Sequence, residues 1–211
     1  MSAQETLRCA ENLYLMGYTT YPRTESTDFS ENFDFKEILQ EQKDHPEWGN
    51  FATNLLVNGH NRPKKGHDAG DHPPITPVRA ATRDELDDRD WKIYEFITRS
   101  FLGCISTDAT YDSCAIMFES AGEQFKTQGR VLIKPGFLEV MPFLMGADTV
   151  IPDFRVGQEI TINSSRMVEG RTEAPGFLTE ANLITKMDKN GIGTDASIAT
   201  HINNIMLRNY V

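Results

Sequence analysis

The stretch that decides the fold and the chemistry of this chain is Gly17-Tyr18-Thr19-Thr20-Tyr21-Pro22-Arg23-Thr24-Glu25-Ser26. The phenol of Tyr21 is a weak nucleophile unless its oxyanion is stabilised, because its ordinary pKa is about 10. The guanidinium of Arg23 can stabilise that oxyanion, and it can also hold a phosphodiester through two donors. Pro22 fixes one backbone torsion between the two side chains. The residues alone leave two interpretations open: a pair for phosphoryl chemistry, or a strand-end aromatic followed by a solvated charge.

Helices are predicted on both sides of this stretch. Apolar residues at helical spacing predict a helix from Glu5 to Met16, which Gly17 ends as its C′ residue. The same spacing predicts short helices around residues 35–42 and 51–57, the second closed by Gly59. The segment from Tyr18 to Tyr21 is rich in β-formers, and Pro22 ends any strand there.

A long irregular loop is predicted over residues 60–79, which hold many prolines. Loops of this length inside a compact domain are usually functional. Thr82 and Glu85 have the spacing of a capping box, which predicts that a helix begins there and runs to about Gly103.

After residue 104 the pattern changes to short strand-like runs separated by glycines, which favours an antiparallel sheet or a small barrel. The runs lie at Ala115 and Met117, Gln124–Lys126, Val131–Ile133, Phe137–Val140 and Gln158–Ile162. Residues 163–176 are interpreted as a linker. Two short helices follow, one capped by Thr179 and ended by Asn190-Gly191, the other with Ile198, Ile202 and Ile205 on one face, as in a helix-turn-helix.

The composition is that of a globular protein: 211 residues, 39% hydrophobic, 25% charged, with a formal net charge of −10. That length allows one or two domains, and the acidic balance argues against a generic polybasic nucleic-acid coat. Cys9, Cys104 and Cys114 suggest neither a disulfide framework nor a zinc knuckle. Without a signal peptide or a membrane-length apolar run, we expect a soluble intracellular protein.

Two further motifs stand in order behind the tyrosine segment. They are Gly66-His67-Asp68-Ala69-Gly70-Asp71-His72-Pro73-Pro74-Ile75-Thr76-Pro77 and Gly191-Ile192-Gly193-Thr194-Asp195-Ala196-Ser197-Ile198, the latter followed by His201-Ile202-Asn203-Asn204-Ile205. Together the three motifs resemble the signatures of type IA DNA topoisomerases and cover almost the whole chain. The resemblance is strongest to eukaryotic topoisomerase III, in its beta form.

The resemblance implies a role for each matching residue. Tyr21 matches the nucleophile that forms a 5′-phosphotyrosine, Arg23 matches the residue that holds that phosphate, and His72 matches a histidine that hydrogen-bonds the phosphate or assists proton movement. Because one phosphoester replaces another, resealing needs no ATP. The residues predicted to bind nucleic acid are Thr24, Lys64, Lys65, Gly193, Thr194, Ser197 and His201.

Plainer interpretations stay open for several of these residues. His67 and His72 have a metal-ligand spacing, but a zinc site would need further ligands, and no metal site is expected in the chain. Lys64 and Lys65 also suit a solvated loop, and Thr194 also suits a helix cap. Phe29, Phe33 and Trp48 could stack on bases. For Phe33, Phe35 and Trp48 a place in the core is favoured.

The prediction is an α+β chain in three parts: a tyrosine-bearing helical domain over 1–104, an antiparallel β gate segment over 105–174, and a truncated winged-helix-like piece over 175–211. We expect an internal segment of a larger enzyme that is inactive alone, because the Mg²⁺-binding TOPRIM domain of the family has no counterpart here. The implied partners are single-stranded DNA or RNA and an accessory protein that binds other regions, with no membrane. The implied location is the nucleus, with the cytoplasm as a second compartment.

Two rival functions remain. One is a non-catalytic module of the same architecture that binds single-stranded nucleic acid. The other is a helix-turn-helix adaptor for duplex DNA, which the acidic charge and the lack of a basic recognition helix disfavour.

Overall fold

A computed structural model describes residues 1–194 and 197–211; Asp195 and Ala196 of the third motif lie outside the described residues. The chain divides into two compact units. The first contains Met1–Asp108, Gly136–Met145 and Leu178–Val211, and the second contains Ala109–Pro135 and Gly146–Phe177. The three-part division stays a prediction. In the part of the chain that is described, no helix is both long enough and apolar enough to cross a membrane.

The first unit is helical, and its helices match the helical periodicity of the sequence. They are α1 Ala3–Leu15, α2 Phe35–Gln42, α3 Gly49–Asn58, α4 Asp88–Cys104, α5 Glu180–Lys189 and α6 Ile198–Leu207. Single 3-10 turns lie at Arg83–Glu85, Gly136–Glu139 and Pro142–Leu144. The predicted irregular loop is confirmed, since residues 60–79 contain no helix and no strand beyond one isolated bridge at Pro77.

The end of α1 turns the chain sharply into the tyrosine segment. Gly17 has a φ of +78°, which glycine adopts without the steric cost that a Cβ would add. Its N–H donates to the Tyr14 carbonyl, and the N–H of Tyr18 donates to the Leu13 carbonyl, both at 2.9 Å. This is a Schellman C-cap, and it confirms the predicted helix end at Gly17.

The core of the first unit is rich in aromatic side chains. Phe29, Phe35 and Trp48 are 7%, 5% and 1% exposed, and Phe33 packs against the same cluster. Phe35 and Trp48 are core residues, as predicted, and the burial of Phe29 and Trp48 leaves no ring face on which a base could stack. Phe33 is only partly buried: it packs against the core, as predicted, and its stacking on a base stays a prediction.

A hydrogen-bond network around the Tyr94 hydroxyl in this core holds the C-terminal end of the long loop. The hydroxyl of Tyr94 on α4 donates to the Arg79 carbonyl at 2.8 Å and accepts from the Ala81 N–H at 3.1 Å. It also accepts from the Gln42 side-chain amide at 3.0 Å. Two of these bonds attach Arg79 and Ala81, which follow the loop over residues 66–78, to the core.

One predicted helix is two elements in the structure. The Glu85 carboxylate accepts from the Thr82 N–H at 2.6 Å, so the capping box forms, but it closes only a 3-10 turn. Leu86 is extended, and α4 begins at Asp88. The cap of α4 is Asp87, whose carboxylate accepts from two backbone N–H groups of the first turn. The prediction of one helix starting at Thr82 was wrong because a second, stronger cap follows it.

The second unit contains one antiparallel hairpin, with β1 over Thr110–Ser120 and β2 over Glu123–Lys134. Ala121 and Gly122, both at positive φ, form its two-residue turn. The predicted antiparallel sheet is confirmed in these two strands, but the strands predicted at Phe137–Val140 and Gln158–Ile162 were wrong. Residues 137–140 lie in the first unit around a 3-10 turn, because Gly136 has a φ of +50° and the Phe137 N–H donates to the Thr107 carbonyl. Residues 158–162 are exposed and are not part of a strand.

Gly129 does not end a strand, although the glycines after residue 104 were predicted to separate the strand-like runs. It lies inside β2, where a Cβ would come within 2.3 Å of the Thr149 carbonyl oxygen. The glycine therefore permits the close approach of residues 149–151 to the hairpin, where Thr149 forms a bridge with Arg130. The fold is a helical assembly with a small antiparallel two-stranded sheet.

Candidate active site

The first two motifs lie side by side. The Val78 N–H donates to the Tyr18 carbonyl at 2.8 Å, and the Thr20 N–H donates to the Thr76 carbonyl at 3.0 Å. The Thr76 N–H returns a bond of 2.9 Å to the Thr20 hydroxyl. The tyrosine segment and the loop over residues 66–78 are thus paired through their backbones.

The pairing continues on the other side of Tyr21. The Thr27 N–H donates to the His67 carbonyl at 2.7 Å, and the His67 N–H donates to the Thr27 hydroxyl at 2.9 Å. A Cβ on the adjacent Gly66 would lie 2.7 Å from the Thr27 carbonyl oxygen, so only glycine fits there. The loop is therefore anchored at both ends of the tyrosine segment.

The ring of Tyr21 lies between two other rings and remains partly exposed. Its centroid is 5.2 Å from that of Tyr14 on α1 and 4.7 Å from that of His72, both edge-on. His72 itself is exposed. The structure thus brings together two of the three side chains that the resemblance assigned to catalysis, from distant parts of the sequence.

Arg23 is held by a carboxylate on the preceding helix. Its Nε donates to Glu11 Oε1 at 2.7 Å, and its Nη2 contacts the same oxygen. The two side chains are 34% and 33% exposed, so the ion pair is only partly shielded from water. Glu11 and Tyr14 are one helical turn apart on α1, and they contact Arg23 and Tyr21 respectively. Sequence reasoning missed both, although their spacing on a predicted helix was a usable signal.

Asp71 is the third residue that sequence reasoning missed as part of this site. Its carboxylate accepts from the Ser26 hydroxyl at 2.8 Å and the Glu25 N–H at 3.0 Å, and the Thr24 hydroxyl oxygen lies 3.3 Å from it. The bond from Ser26 first, and then the one from the Glu25 N–H, hold the pKa of Asp71 well below its usual range. The signal in the sequence was an acid directly before His72.

The surroundings of His72 are acidic. An open cleft beside it is lined by Asp28, Asp68 and Asp71, together with Phe33 and Pro73. A phosphate entering there would be repelled by the carboxylates.

The third motif belongs to the same compact unit as Tyr21, where α6 packs against α1. Gly193 has a φ of +86°, and the Thr194 N–H donates to the Ser197 hydroxyl at 2.9 Å. The structure describes α6 from Ile198 with Ser197 directly before it, and since Asp195 and Ala196 lie outside the described residues, the interpretation of Thr194 as the helix cap stays a prediction. His201 is exposed on α6.

All 211 residues match a protein-family model described as DNA topoisomerase. This chain belongs to the DNA topoisomerase family. It is 48% identical to the mouse and human proteins named DNA topoisomerase 3-beta-1, over the whole chain and 25% of each relative. The fold is similar to that of full-length topoisomerase I from Thermotoga maritima, with a TM-score of 0.71 and 21% identity, over all of this chain and 35% of that one.

The predicted resemblance to type IA topoisomerases, and to topoisomerase III among them, is thereby confirmed. The topoisomerase chain spans about a quarter of the length of the curated relatives that it matches. The match to the Thermotoga structure, at that identity, shows the fold alone.

The basic segment Arg62-Pro63-Lys64-Lys65 of this topoisomerase chain has two parts with different surroundings. The guanidinium of Arg62 donates to the carbonyls of Ser30 at 2.7 Å and Glu31 at 3.3 Å, so it ties the loop to the segment before α2. Lys64 and Lys65 are exposed. Their predicted contact with nucleic acid stays a prediction.

Thr24 has a structural contact in the candidate site. Its hydroxyl donates to the His72 carbonyl at 2.7 Å and accepts from the Ser26 N–H at 3.0 Å. Its role toward nucleic acid stays a prediction, as do those of Gly193, Thr194, Ser197 and His201. Over residues 1–194 and 197–211, no group of three metal-ligating side chains could hold a metal ion.

Proposed function

We propose that this chain supplies the nucleophile and the phosphate-binding arginine of a type IA topoisomerase. The enzyme would cleave one DNA strand through a 5′-phosphotyrosine, pass a strand and reseal the break. The observation that carries the proposal is the contact of the Tyr21 and His72 rings, 4.7 Å apart. Arg23 follows Tyr21 by two residues and is hydrogen-bonded to Glu11 of α1. Tyr21 is only partly buried, so a phosphodiester can reach its hydroxyl.

The chemistry of the proposal is a transesterification. The phenol oxygen of Tyr21 attacks the phosphorus, a P–O bond to the tyrosine forms, and the bond to the 3′ oxygen breaks. The phenol loses its proton and the leaving 3′ oxygen gains one, with His72 close enough to assist. Arg23 neutralises charge on the phosphate. The tyrosyl ester retains the bond energy, so the reverse reaction reseals the strand without ATP.

Mg²⁺ would be bound outside these 211 residues. No cluster of three acidic, histidine or cysteine side chains within the described residues fits a metal ion. As the resemblance to type IA enzymes implies, we assign Mg²⁺ to acidic groups of the longer protein, where it would supply electrostatic stabilisation of the phosphate. The steps above are assigned only to residues of this chain.

The nucleic-acid path is proposed to run along the exposed groups of the loop and of the third motif. We assign contacts with a single strand to Lys64, Lys65 and His201, and a backbone contact to Gly193, which lies against the side chains of Ser197 and His201. The α5–α6 pair would belong to a winged-helix-like domain, and residues 1–104 to the tyrosine-bearing domain. The same proposal includes RNA as a second substrate, an accessory protein as a partner, and a location in the nucleus. A fluorescent fusion of the longer enzyme tests the nuclear location.

Replacement of the proposed nucleophile tests this function. In the longer enzyme that contains this chain, Tyr21→Phe is expected to abolish the covalent adduct with a single-stranded oligonucleotide while the oligonucleotide still binds. Tyr18→Phe, in the same segment but with a buried ring, is the control and should form the adduct. An unchanged adduct in Tyr21→Phe would refute the proposal. Binding of the oligonucleotide without adduct in the unmodified enzyme would favour the non-catalytic module.

A further inference from the structure

We propose that Asp71 is a positioning residue that sets the geometry of His72 against Tyr21 and Arg23. The inference rests on the proposed function, because it assigns Asp71 a role in that same site. Both oxygens of its carboxylate are used: Oδ1 accepts from the Ser26 hydroxyl, and Oδ2 accepts from the Glu25 N–H. One charged group thus binds the segment that follows Arg23.

Further hydrogen bonds around the Asp71 carboxylate connect the tyrosine segment to the loop on both sides of Asp71. The Ser26 hydroxyl, in a residue only 5% exposed, donates to Asp71 and accepts from the Ala69 N–H at 3.0 Å. The Thr24 hydroxyl donates to the His72 carbonyl at 2.7 Å. The backbone that carries Arg23 is therefore linked to the backbone that carries His72 through short polar contacts.

These contacts lie where a small displacement affects the reaction. Arg23 directly precedes Thr24, and His72 directly follows Asp71. A rotation of the Asp71-His72 peptide would move the imidazole away from the Tyr21 ring, because the contact of 4.7 Å between the two rings depends on that backbone. Misplacement by about 1 Å can cost on the order of a hundredfold in rate.

The backbone pairing of the loop separates this role from general folding. The bonds between Thr20 and Thr76 hold the loop without any contribution from Asp71. Asparagine at position 71 is isosteric, but in either orientation its NH2 group would face a donor, the Glu25 N–H in one case and the Ser26 hydroxyl in the other. Asp71→Asn should therefore disturb the position of His72 while the loop stays paired.

The first test is a structural readout on the longer enzyme that contains this chain, with its tyrosine, histidine and threonine residues selectively labelled. Nuclear Overhauser contacts between the Tyr21 and His72 rings report the active-site geometry, and those between Thr20 and Thr76 report the backbone pairing. Asp71→Asn should weaken the first and keep the second. Asp68→Asn is the matched control, since its carboxylate caps only Gly70 of the same loop, and both contacts should persist. An unchanged ring contact in Asp71→Asn, or loss of both contacts together, would overturn the proposal.

The second test is kinetic and uses the longer enzyme. At saturating single-stranded oligonucleotide, Asp71→Asn should slow adduct formation by about tenfold to a hundredfold, with an unchanged oligonucleotide Kd. Simple removal of a repulsive charge would instead tighten Kd and leave the rate alone, which would overturn the proposal. Failure of the proposed function and failure of the Asp71 proposal give different results. An adduct that persists in Tyr21→Phe refutes the proposed function, and the contact between the Tyr21 and His72 rings in Asp71→Asn still decides whether Asp71 positions His72.

Discussion

Removal of the Glu11 carboxylate should slow strand cleavage through its effect on Arg23. In Glu11→Ala the guanidinium loses the acceptor that holds its Nε at 2.7 Å. The change should spare the fold, because Glu11 is not among the buried residues of α1 and alanine favours helix. The substitution therefore isolates the orientation of Arg23.

The size of the effect follows from the exposure of the pair. A charge-assisted hydrogen bond contributes about 1.5–3 kcal/mol when shielded, and an exposed ion pair about 0–1 kcal/mol. With about a third of each side chain exposed, we expect about 1 kcal/mol, or a loss of about fivefold in rate. Glu11→Gln keeps an oxygen acceptor without the charge and should lose less.

The assay is the initial rate of covalent adduct formation by the longer enzyme at saturating oligonucleotide. A double-mutant cycle with Arg23→Ala shows whether Glu11 acts through the arginine. If it does, Glu11→Ala costs nothing further once Arg23 is gone. Asn12→Ala, on an exposed position of the same helix, is the control and should retain the full rate. Losses that multiply in the double variant would refute the reasoning.

Three further results are expected. Tyr94→Phe should lower the free energy of unfolding by about 2 kcal/mol, because the Ala81 N–H loses its buried acceptor; the urea midpoint should fall with an unchanged m-value, and an unshifted midpoint would contradict this. Gly17→Ala should cost about 1 kcal/mol, since alanine is strained at a φ of +78°; calorimetry checks it, and equal stability would argue against the Schellman cap. Because the pKa of Asp71 is lowered on folding, its stabilising effect is present above its unfolded pKa and is lost only as pH falls through the lower folded value. The Glu25 amide shift in an acid titration should therefore stay constant through pH 4, and a midpoint at or above about 4 would contradict the hydrogen-bonded carboxylate.

The sequence predicts the helices of the first unit well because local signals agree there. Asp34, which accepts from the first-turn amides of α2, and Gly17 at the end of α1 are local devices that a single pass along the chain can find. The β-rich region is predicted poorly, since pairing depends on distant partners. Residues 158–162 alternate like a strand but have no strand to pair with, and the apolar run 137–140 instead packs beside α4.

The residues of the candidate site could also be predicted only in part. Tyr21, Arg23 and His72 were predicted because motifs carry them, and the contact of the Tyr21 and His72 rings agrees with that grouping. Glu11 and Asp71 were missed because their roles appear only when α1 and the loop fold against the tyrosine segment. Supporting residues of this kind have no motif of their own, and tertiary contacts are needed to find them.

The central claim is that the hydroxyl of Tyr21 becomes covalently linked to a DNA 5′-phosphate. Adduct trapped on the longer enzyme can be digested with nuclease and trypsin, which cleaves after Arg8 and Arg23 and releases the peptide Cys9–Arg23. Fragmentation by mass spectrometry then distinguishes Tyr14, Tyr18 and Tyr21 within that peptide. The account predicts a phosphonucleotide on Tyr21 alone. A nucleotide on either of the other tyrosines, or on a peptide elsewhere in the protein, would contradict it.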